Sequence, residues 1–533
     1  MIKHLRFLTE FYLIKRSGLF DANYYLLNYP DVRKADVDPL MHYIKNGWKE
    51  GRNPSPTFNT HFYLHQYSEV TDAGTNPLVH YIKYGLKDGR RTQSGIINEI
   101  LLNVDLTVFN NLPNNFSHIL EEEFEHINEL VSVIIPTKNA GNDFDFLLKM
   151  ILNQKGFDEI EIIIVDSGSE DNTVQIAKNF GVKVIEILPS EFSHSYTRNL
   201  GAENALGDYL FFTVQDALPP TNTWLYELMT TLKNNDVTAV SCAEIPREDA
   251  DLFYRVISWI HYNFLGVNKT DKIFKLPDTQ NYLTLRQNGQ LSDIACLIPR
   301  DIFMRYKYRL NYAEDLDLGI RLIKSGEKIA FLGSTRIIHS HNRPPFYYLK
   351  RGYVDNLFLT DMFSDLPVPN IYFDEFLSDI IFTFNYVNME INEKFSMIKF
   401  PINNQVLADL FNGMFMITKY DGYPINTIVN CDFIDNNCKE FLESLLYNSE
   451  PVYKEKYIGL LVNSIKYFVN NMFEYLNICH ENIDENLAEE IKASIFKAFF
   501  LLTGAHLAYC YKNNYPNENN YLEELHLFLK EGI

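Results

Sequence analysis

The sequence is short of cysteine, of tryptophan and of positive charge. Six cysteines (Cys242, Cys296, Cys431, Cys438, Cys479, Cys510) are scattered over 533 residues, with no C-x-x-C pair. That spacing excludes a disulfide framework and a cysteine-based metal site, and predicts reduced, mostly buried thiols in a cytosolic chain. Lysine and arginine number 48 against 69 aspartates and glutamates, a formal net charge of -21. So acidic a balance excludes a general nucleic-acid binder, because phosphates must be met by cations, and excludes wholesale attachment to anionic lipid. The first residues, MIKHLRFLTEFYLIKR, are a local basic exception. They lack the apolar core and small-residue cleavage site of a signal peptide, so none is expected. The most apolar late stretch, Ser494 to Cys510, carries Lys497 and His506. A buried helix is expected there rather than a membrane span. No G-x-G-x-x-G follows the first strand of the central segment, which argues against a dinucleotide-binding dehydrogenase.

What is present is ample apolar material, 46% hydrophobic and 14% aromatic. At this length the chain exceeds one core, and about two to four domains are expected. Residues 20–52 recur as 58–90 at a constant offset of 38, pairing Tyr25 with Tyr63, Pro39 with Pro77, His42 with His80, Gly47 with Gly85 and Arg52 with Arg90. Such a period marks stacked supersecondary units. Each copy reads as two short helices around an Asp-Pro or Asn-Pro turn, closed by G-x-x-x-G-R. His42 and His80, set among aromatics, are read as packing residues. The expected organisation is a helical repeat module over 1–95, a connector over 96–129, a catalytic α/β domain over 130–345 and a mostly helical domain over 346–533.

The connector ends where two β-branched runs begin, Val131 to Ile135 and Ile160 to Val165, with a helix-length segment between them. This is the pattern of a β-α-β unit with buried parallel strands. Ligands of such sheets lie beyond the carboxyl ends of the strands. Pro136, Thr137, Asp166, Ser167, Asp171 and Asp216 fall there. Pro136 is expected to halt the first strand. Asp166 is expected to accept hydrogen bonds from a nucleotide, while Asp171 reads equally as a ligand or as the cap of the next helix.

From VSVIIPTKN through IEIIIVDSGSEDNT and GDYLFFTVQDALPP to AEDLDLGIRLIKSG, the segment resembles the nucleotide-sugar-binding half of a family 2 glycosyltransferase. More narrowly, SEFSHSYTRNLGAENALGDYLFFTVQDALPP resembles the rhamnosyltransferase-like branch. The resemblance implies a GT-A fold with a central, mostly parallel sheet. Repeats like those of 20–90 occur beside such domains in bacterial polysaccharide enzymes.

The resemblance also distributes roles. Pro136, Thr137, Asp166, Ser167, His194, Arg198, Asn199, Gln215 and Asp216 would face the donor, with Arg198 and Asn199 at a helix start suited to a diphosphate. Relatives hold a divalent cation with two aspartates one residue apart; here Val214 replaces the first, leaving Asp216. Either His339 or His341 would add a ligand for Mg2+ or Mn2+, and only one if the strand runs through both, because alternate residues face opposite ways. Asp315 would be the base that deprotonates the acceptor, with Glu314 orienting it. Ser292 and Asp293 would line the sugar or acceptor pocket. Lys350 and Arg351 could meet a pyrophosphate-linked acceptor or anionic lipid. The implied activity is inverting transfer of a sugar, first L-rhamnose from a dTDP donor, to a bacterial surface glycan or lipid-linked acceptor. The expected setting is the cytoplasm, with peripheral contact at the inner membrane face and with other assembly enzymes. The competing expectation is a non-catalytic nucleotide- or glycan-binding subunit.

Overall fold

A computed structural model describes residues 126–141, 144–268, 270–415, 423–448, 460–480, 482–514 and 520–531, together with most of 10–85. The chain divides into two compact units, Met1–Val104 and Asp105–Ile533. Most of the basic start, the expected connector up to residue 125 and the end of the second repeat lie outside the described residues.

In the first unit the repeat copies use matching contacts. Asp38 and Asn76 cap short helices, Pro39–His42 and Pro77–His80, whose first residue is proline. A missing N–H costs nothing at that position. The Tyr25 hydroxyl lies 3.1 Å from His42 Nδ1, and that of Tyr63 lies 3.0 Å from His80 Nδ1. Both tyrosines are fully buried, so the histidines anchor the repeat core, as their aromatic setting suggested.

The second unit is organised by an eight-stranded sheet in the order β3-β2-β1-β4-β7-β5-β8-β6. In chain order its strands are β1 (Val131–Thr137), β2 (Ile160–Asp166), β3 (Lys183–Glu186), β4 (Tyr209–Thr213), β5 (Ala239–Ile245), β6 (Lys272–Phe274), β7 (Ala295–Pro299) and β8 (Ile329–Ile338). Strands β3, β2, β1 and β4 run parallel, as do β5 and β8; β7 and β6 run against them. Apolar cores cover both faces, which is why β1 and β2 read as continuous apolar runs rather than as alternations. The helix Phe144–Leu152 buries Phe144, Leu147, Leu148 and Ile151 against one face. Pro136 does not halt β1, since its pairing with β2 extends to Thr137 opposite Asp166. Thr137 O accepts from Ser167 N on the β2 side, so Pro136 points toward β4, whose pairing already ends at Ile134. No ladder bond is lost there.

The expected boundary near residue 345 does not separate two bodies. Helix Leu252–Leu265, helix Pro345–Met362 and the C-terminal helices share one apolar core, which includes Phe253, Trp259, Tyr353, Phe376, Phe468 and Phe499. Helix Pro345–Met362 crosses helix Glu485–Asn513 through paired glycines. A Cβ on Gly352 would collide with the Leu501 carbonyl, and one on Gly504 with the Leu349 carbonyl. Among the described residues, Glu485–Asn513 is the one helix long and apolar enough to cross a membrane; 72% of its most apolar stretch is buried inside the chain. Lys497, unexpected on such a helix, is paired with Asp251 at 2.5 Å.

Helix propensity alone favours alanine over glycine by about 1 kcal/mol. At Gly352 and Gly504 the sign should reverse, with each alanine variant losing about 1–3 kcal/mol from overpacking. Thermal denaturation measures this, and a raised Tm in both variants would show that the helices do not cross so closely.

Candidate active site

The carboxyl ends of β1, β2, β4, β5 and β8 share one edge of the sheet. Because β7 runs the other way, its beginning falls at that same edge and carries Ser292 and Asp293 there. A cleft of about 720 Å³ opens at this edge, lined among others by His194, Asp216, Asp293, Glu314, Asp315, His339 and His341. Its far wall is helix Pro345–Met362, which contributes Tyr347, Tyr348, Arg351 and Asp355. A second cleft of about 350 Å³ adjoins it, sharing Gln215, Asp216, His341 and Arg343 and adding Arg247.

Asp216 and both histidines meet. His339 Nε2 is 3.6 Å from Asp216 Oδ1, and His341 Nδ1 is 3.6 Å from Asp216 Oδ2. The expectation that only one histidine could face the site fails because β8 ends at Ile338, one residue before them. Beyond that point the two-residue alternation no longer holds, and the rings stand edge to face at 4.6 Å. His339 Nδ1 is 2.7 Å from Glu244 Oε2, and the Tyr254 and Tyr262 hydroxyls donate to the same carboxylate. Burial alone would depress His339, yet Asp216 and Glu244 push it up to about 10. Burial alone would raise Asp216, yet the hydrogen bond and charge of His339, with His341 and Arg247, bring it down to about 2. Burial and the His339 charge hold His341 at about 4. One ligand atom from each of Asp216, His339 and His341 lies within 4.8 Å of the others, and Glu244 takes the outer nitrogen of one imidazole, the usual support of a metal-bound histidine. This donor set fits a divalent cation.

The second group is built on helix Glu314–Lys324. Ala313 just before it is left-handed, with φ 53°, a strained conformation for a residue with a side chain. It turns Glu314 and Asp315 into the cleft. Gly319 fixes the helix from behind, since a Cβ there would strike the Gly289 carbonyl. Burial first, and then the neighbouring Asp293 carboxylate, push Asp315 up to about 7 and Glu314 up to about 8. With Asp293 close by, these carboxylates titrate together, and the group holds a proton near neutrality. Asp317, also in the first turn, is occupied by Arg321 at 2.7 Å and plays a structural part.

Several expected donor contacts are placed otherwise. Helix His194–Glu203 starts at Ser193, whose hydroxyl caps Tyr196 N, so Arg198 lies a full turn inside rather than at the start. Arg198 is 2% exposed and lines neither cleft. Its Nη1 is 3.2 Å from Glu314 and its Nη2 bonds Asp293. Asn199 clamps the backbone N–H and carbonyl of Tyr308. Asp166 already accepts from Thr137 Oγ1, Ser169 Oγ and the amides of Gly168 and Ser169. Ser167 bonds the Thr137 carbonyl. Pro136, Thr137, Asp166, Ser167 and Ser292 line neither cleft; the Ser292 amide donates to Ser241. Gln215 lines both clefts, but its amide is spent on both backbone groups of Lys138. Asp171 takes the Thr173 and Gly141 amides, as a cap would. His194 does line the cleft, kept neutral by burial and Arg198. Arg351 faces the cleft, whereas Lys350 turns away to the Glu531 carbonyl. Glu244 and Arg247 went unnoticed in the sequence, although the strand-end rule applied to β5 would have found both.

The mostly parallel sheet, with a cleft beyond the carboxyl ends of its strands, has the layout of a GT-A fold. Residues 132–292 of the chain match the profile of Glycosyl transferase family 2. The chain is 28% identical over 235 residues to the O-antigen chain rhamnosyltransferase WbaN of Salmonella anatum, covering 43% of this chain and 71% of that protein. With the O-antigen chain rhamnosyltransferase RfbN of Salmonella typhimurium the identity is 24% over 233 residues, covering 43% and 72%. Among solved structures, the mannosyltransferase PcManGT of Pyrobaculum calidifontis, in complex with GDP-Man and Mn2+, aligns over 44% of this chain and 66% of its own at 18% identity, with a TM-score of 0.34.

A carboxyl group whose folded pKa is raised keeps its proton in the fold at pH values where the unfolded chain has lost it. For Asp315 the stability it costs therefore grows between about pH 4 and about pH 7 and is constant above. Asp315→Asn should melt higher than the native chain at alkaline pH, with the gap closing toward acid. A gap of equal size at both extremes would show that Asp315 is not perturbed.

Proposed function

We propose that the chain is an inverting glycosyltransferase that moves a sugar from a nucleoside diphosphate to a hydroxyl of a surface-glycan or lipid-linked acceptor, with L-rhamnose from dTDP-L-rhamnose as the donor sugar. The observation that carries this reading is that a divalent-cation donor set (Asp216, His339, His341) and a carboxylate held near neutrality (Asp315) open onto one cleft. Asp315 takes the proton of the acceptor hydroxyl, whose oxygen bonds to the anomeric carbon from the face opposite the leaving group. The bond from that carbon to the diphosphate oxygen breaks, and the electron pair leaves with the nucleoside diphosphate. A bound cation would supply positive charge to the departing diphosphate. Two imidazoles beside one carboxylate suit Mn2+ better than Mg2+.

Tyr312 and Tyr347 also line this cleft, with Arg351 and Arg343 beside their rings. The choice of rhamnose is supported by the names of the relatives WbaN and RfbN and by the TRN and Gln-Asp-Ala motifs. The six cysteines are free thiols, which suits a reducing cytoplasm; the reading adds peripheral contact at the inner membrane face and with other assembly enzymes.

Transfer with purified protein, a panel of nucleotide sugars and Mn2+ tests the proposal. Asp315→Asn should lower kcat about 10²–10⁴-fold, and native kcat/KM should rise with pH through about 7. Full activity in a folded Asp315→Asn protein would sink the assignment. Asp216→Ala and chelator should each abolish transfer, and His339→Ala should weaken Mn2+ binding measured by calorimetry. Val214, standing where relatives carry an aspartate, motivates a non-catalytic donor-binding subunit; tight donor binding without turnover of any sugar in the panel would favour it.

A further inference from the structure

We propose that Arg198 is a positioning residue that sets the working state of the base through the carboxylates it holds, Glu314 and Asp293, and touches neither substrate. This rests on the reading of Asp315 as the base. The guanidinium is nearly sealed from solvent and absent from the walls of both clefts, whereas His194, Asp293, Glu314 and Asp315 all line the larger one. Its Nη1 reaches Glu314 at 3.2 Å and the His194 carbonyl at 3.3 Å, and its Nη2 bonds Asp293. Arg198 Nε, fully buried, has no hydrogen-bond partner among the described residues. The arginine is therefore committed to the layer beneath the base, a turn below the helix start where an anion would bind.

That layer joins three separate elements: helix His194–Glu203, the segment before β7, and the start of helix Glu314–Lys324. Its charges are unequal. When ionised, Asp293, Glu314 and Asp315 set three negative charges against one guanidinium. The other groups around Asp315 are Cys296 on β7 and Tyr308, while His194, on the arginine's own helix, faces Arg198, Asp293 and Glu314. Across the cleft, Arg351 and Asp355 pair with each other at 2.9 Å. Arg198 is thus the counter-charge that offsets the negative charge of Asp293 and of the Glu314–Asp315 pair, so that Asp315 can give up its proton at working pH. The same cluster of His194, Asp293 and Glu314 lies close enough to hold a cation, and the guanidinium already fills that part.

The experiment is a pH profile of kcat at saturating donor, with Mn2+, for Arg198→Gln, Arg198→Lys and Asp293→Asn. Nucleoside diphosphate binding in the presence of Mn2+ is measured in parallel by calorimetry. Loss of the counter-charge should move the acidic limb up by about one pH unit or more in Arg198→Gln, and loss of the competing carboxylate should move it down by a similar amount in Asp293→Asn. Arg198→Lys should restore most of the limb's position, and nucleoside diphosphate affinity should stay at its native value in all three. A limb that stays in place while nucleoside diphosphate binding weakens would make Arg198 a donor ligand and overturn the proposal. If Arg198→Gln does not fold, an unmoved limb in Asp293→Asn overturns it equally. Failure of the base assignment itself is separate, since it would show as full activity in Asp315→Asn.

Discussion

The buried ion pair of Arg198 with Glu314 and Asp293 is the contact on which the site depends. A sealed guanidinium is tolerable only when its charge is met, and leaving either side unpaired would cost several kcal/mol. The three elements that meet it are therefore bound to one relative position. That position places the start of helix Glu314–Lys324, strained at Ala313, opposite the strand ends where Asp216 waits. The raised Asp315 carboxyl follows from the same packing, because burial and the crowding of Asp293 both oppose its negative charge.

The cation side is supported differently. With valine at the first position of the usual aspartate pair, a single carboxylate remains on the loop after β4. At the end of β8 two histidines turn to that carboxylate because the strand has stopped. Glu244, held by two tyrosine hydroxyls, fixes one of those imidazoles from behind. The C-terminal helices complete the cleft. Helix Pro345–Met362 is both its far wall and the partner of Glu485–Asn513 in a glycine-lined crossing. The helical region is for that reason part of the active unit and not an appendage to it.

Much of this was legible in the chain itself. The β-α-β pattern, the repeat with its offset of 38, the helix over Phe144–Leu152 and the buried late helix are local signals, written in periodicity and composition, whereas the ED segment stood out by its resemblance to family 2 glycosyltransferases. Asp216, His339, His341, Glu314, Asp315 and Asp293 were all named from motif and position, and the fold brings them to one cleft. Less legible was what each polar residue is bonded to. Asp166, Ser167, Asn199 and Gln215 sit in motif positions, but their hydrogen bonds are taken up by the loops they organise. Lys350 and Arg351 are adjacent in sequence, yet one reaches the Glu531 carbonyl and the other the cleft.

The amino-acid sequence determined the β-α-β unit, that its strands are buried, and that Asp216, His339, His341, Glu314 and Asp315 are candidate site residues, because each of these is written in residues close together along the chain. Only the tertiary structure decided that Arg198 is buried against Glu314 and Asp293, that both histidines face Asp216, and that Glu244 stands behind one of them. Those outcomes depend on where strands end and on charges meeting across 95 residues or more, and burial sets the strength of each pairing.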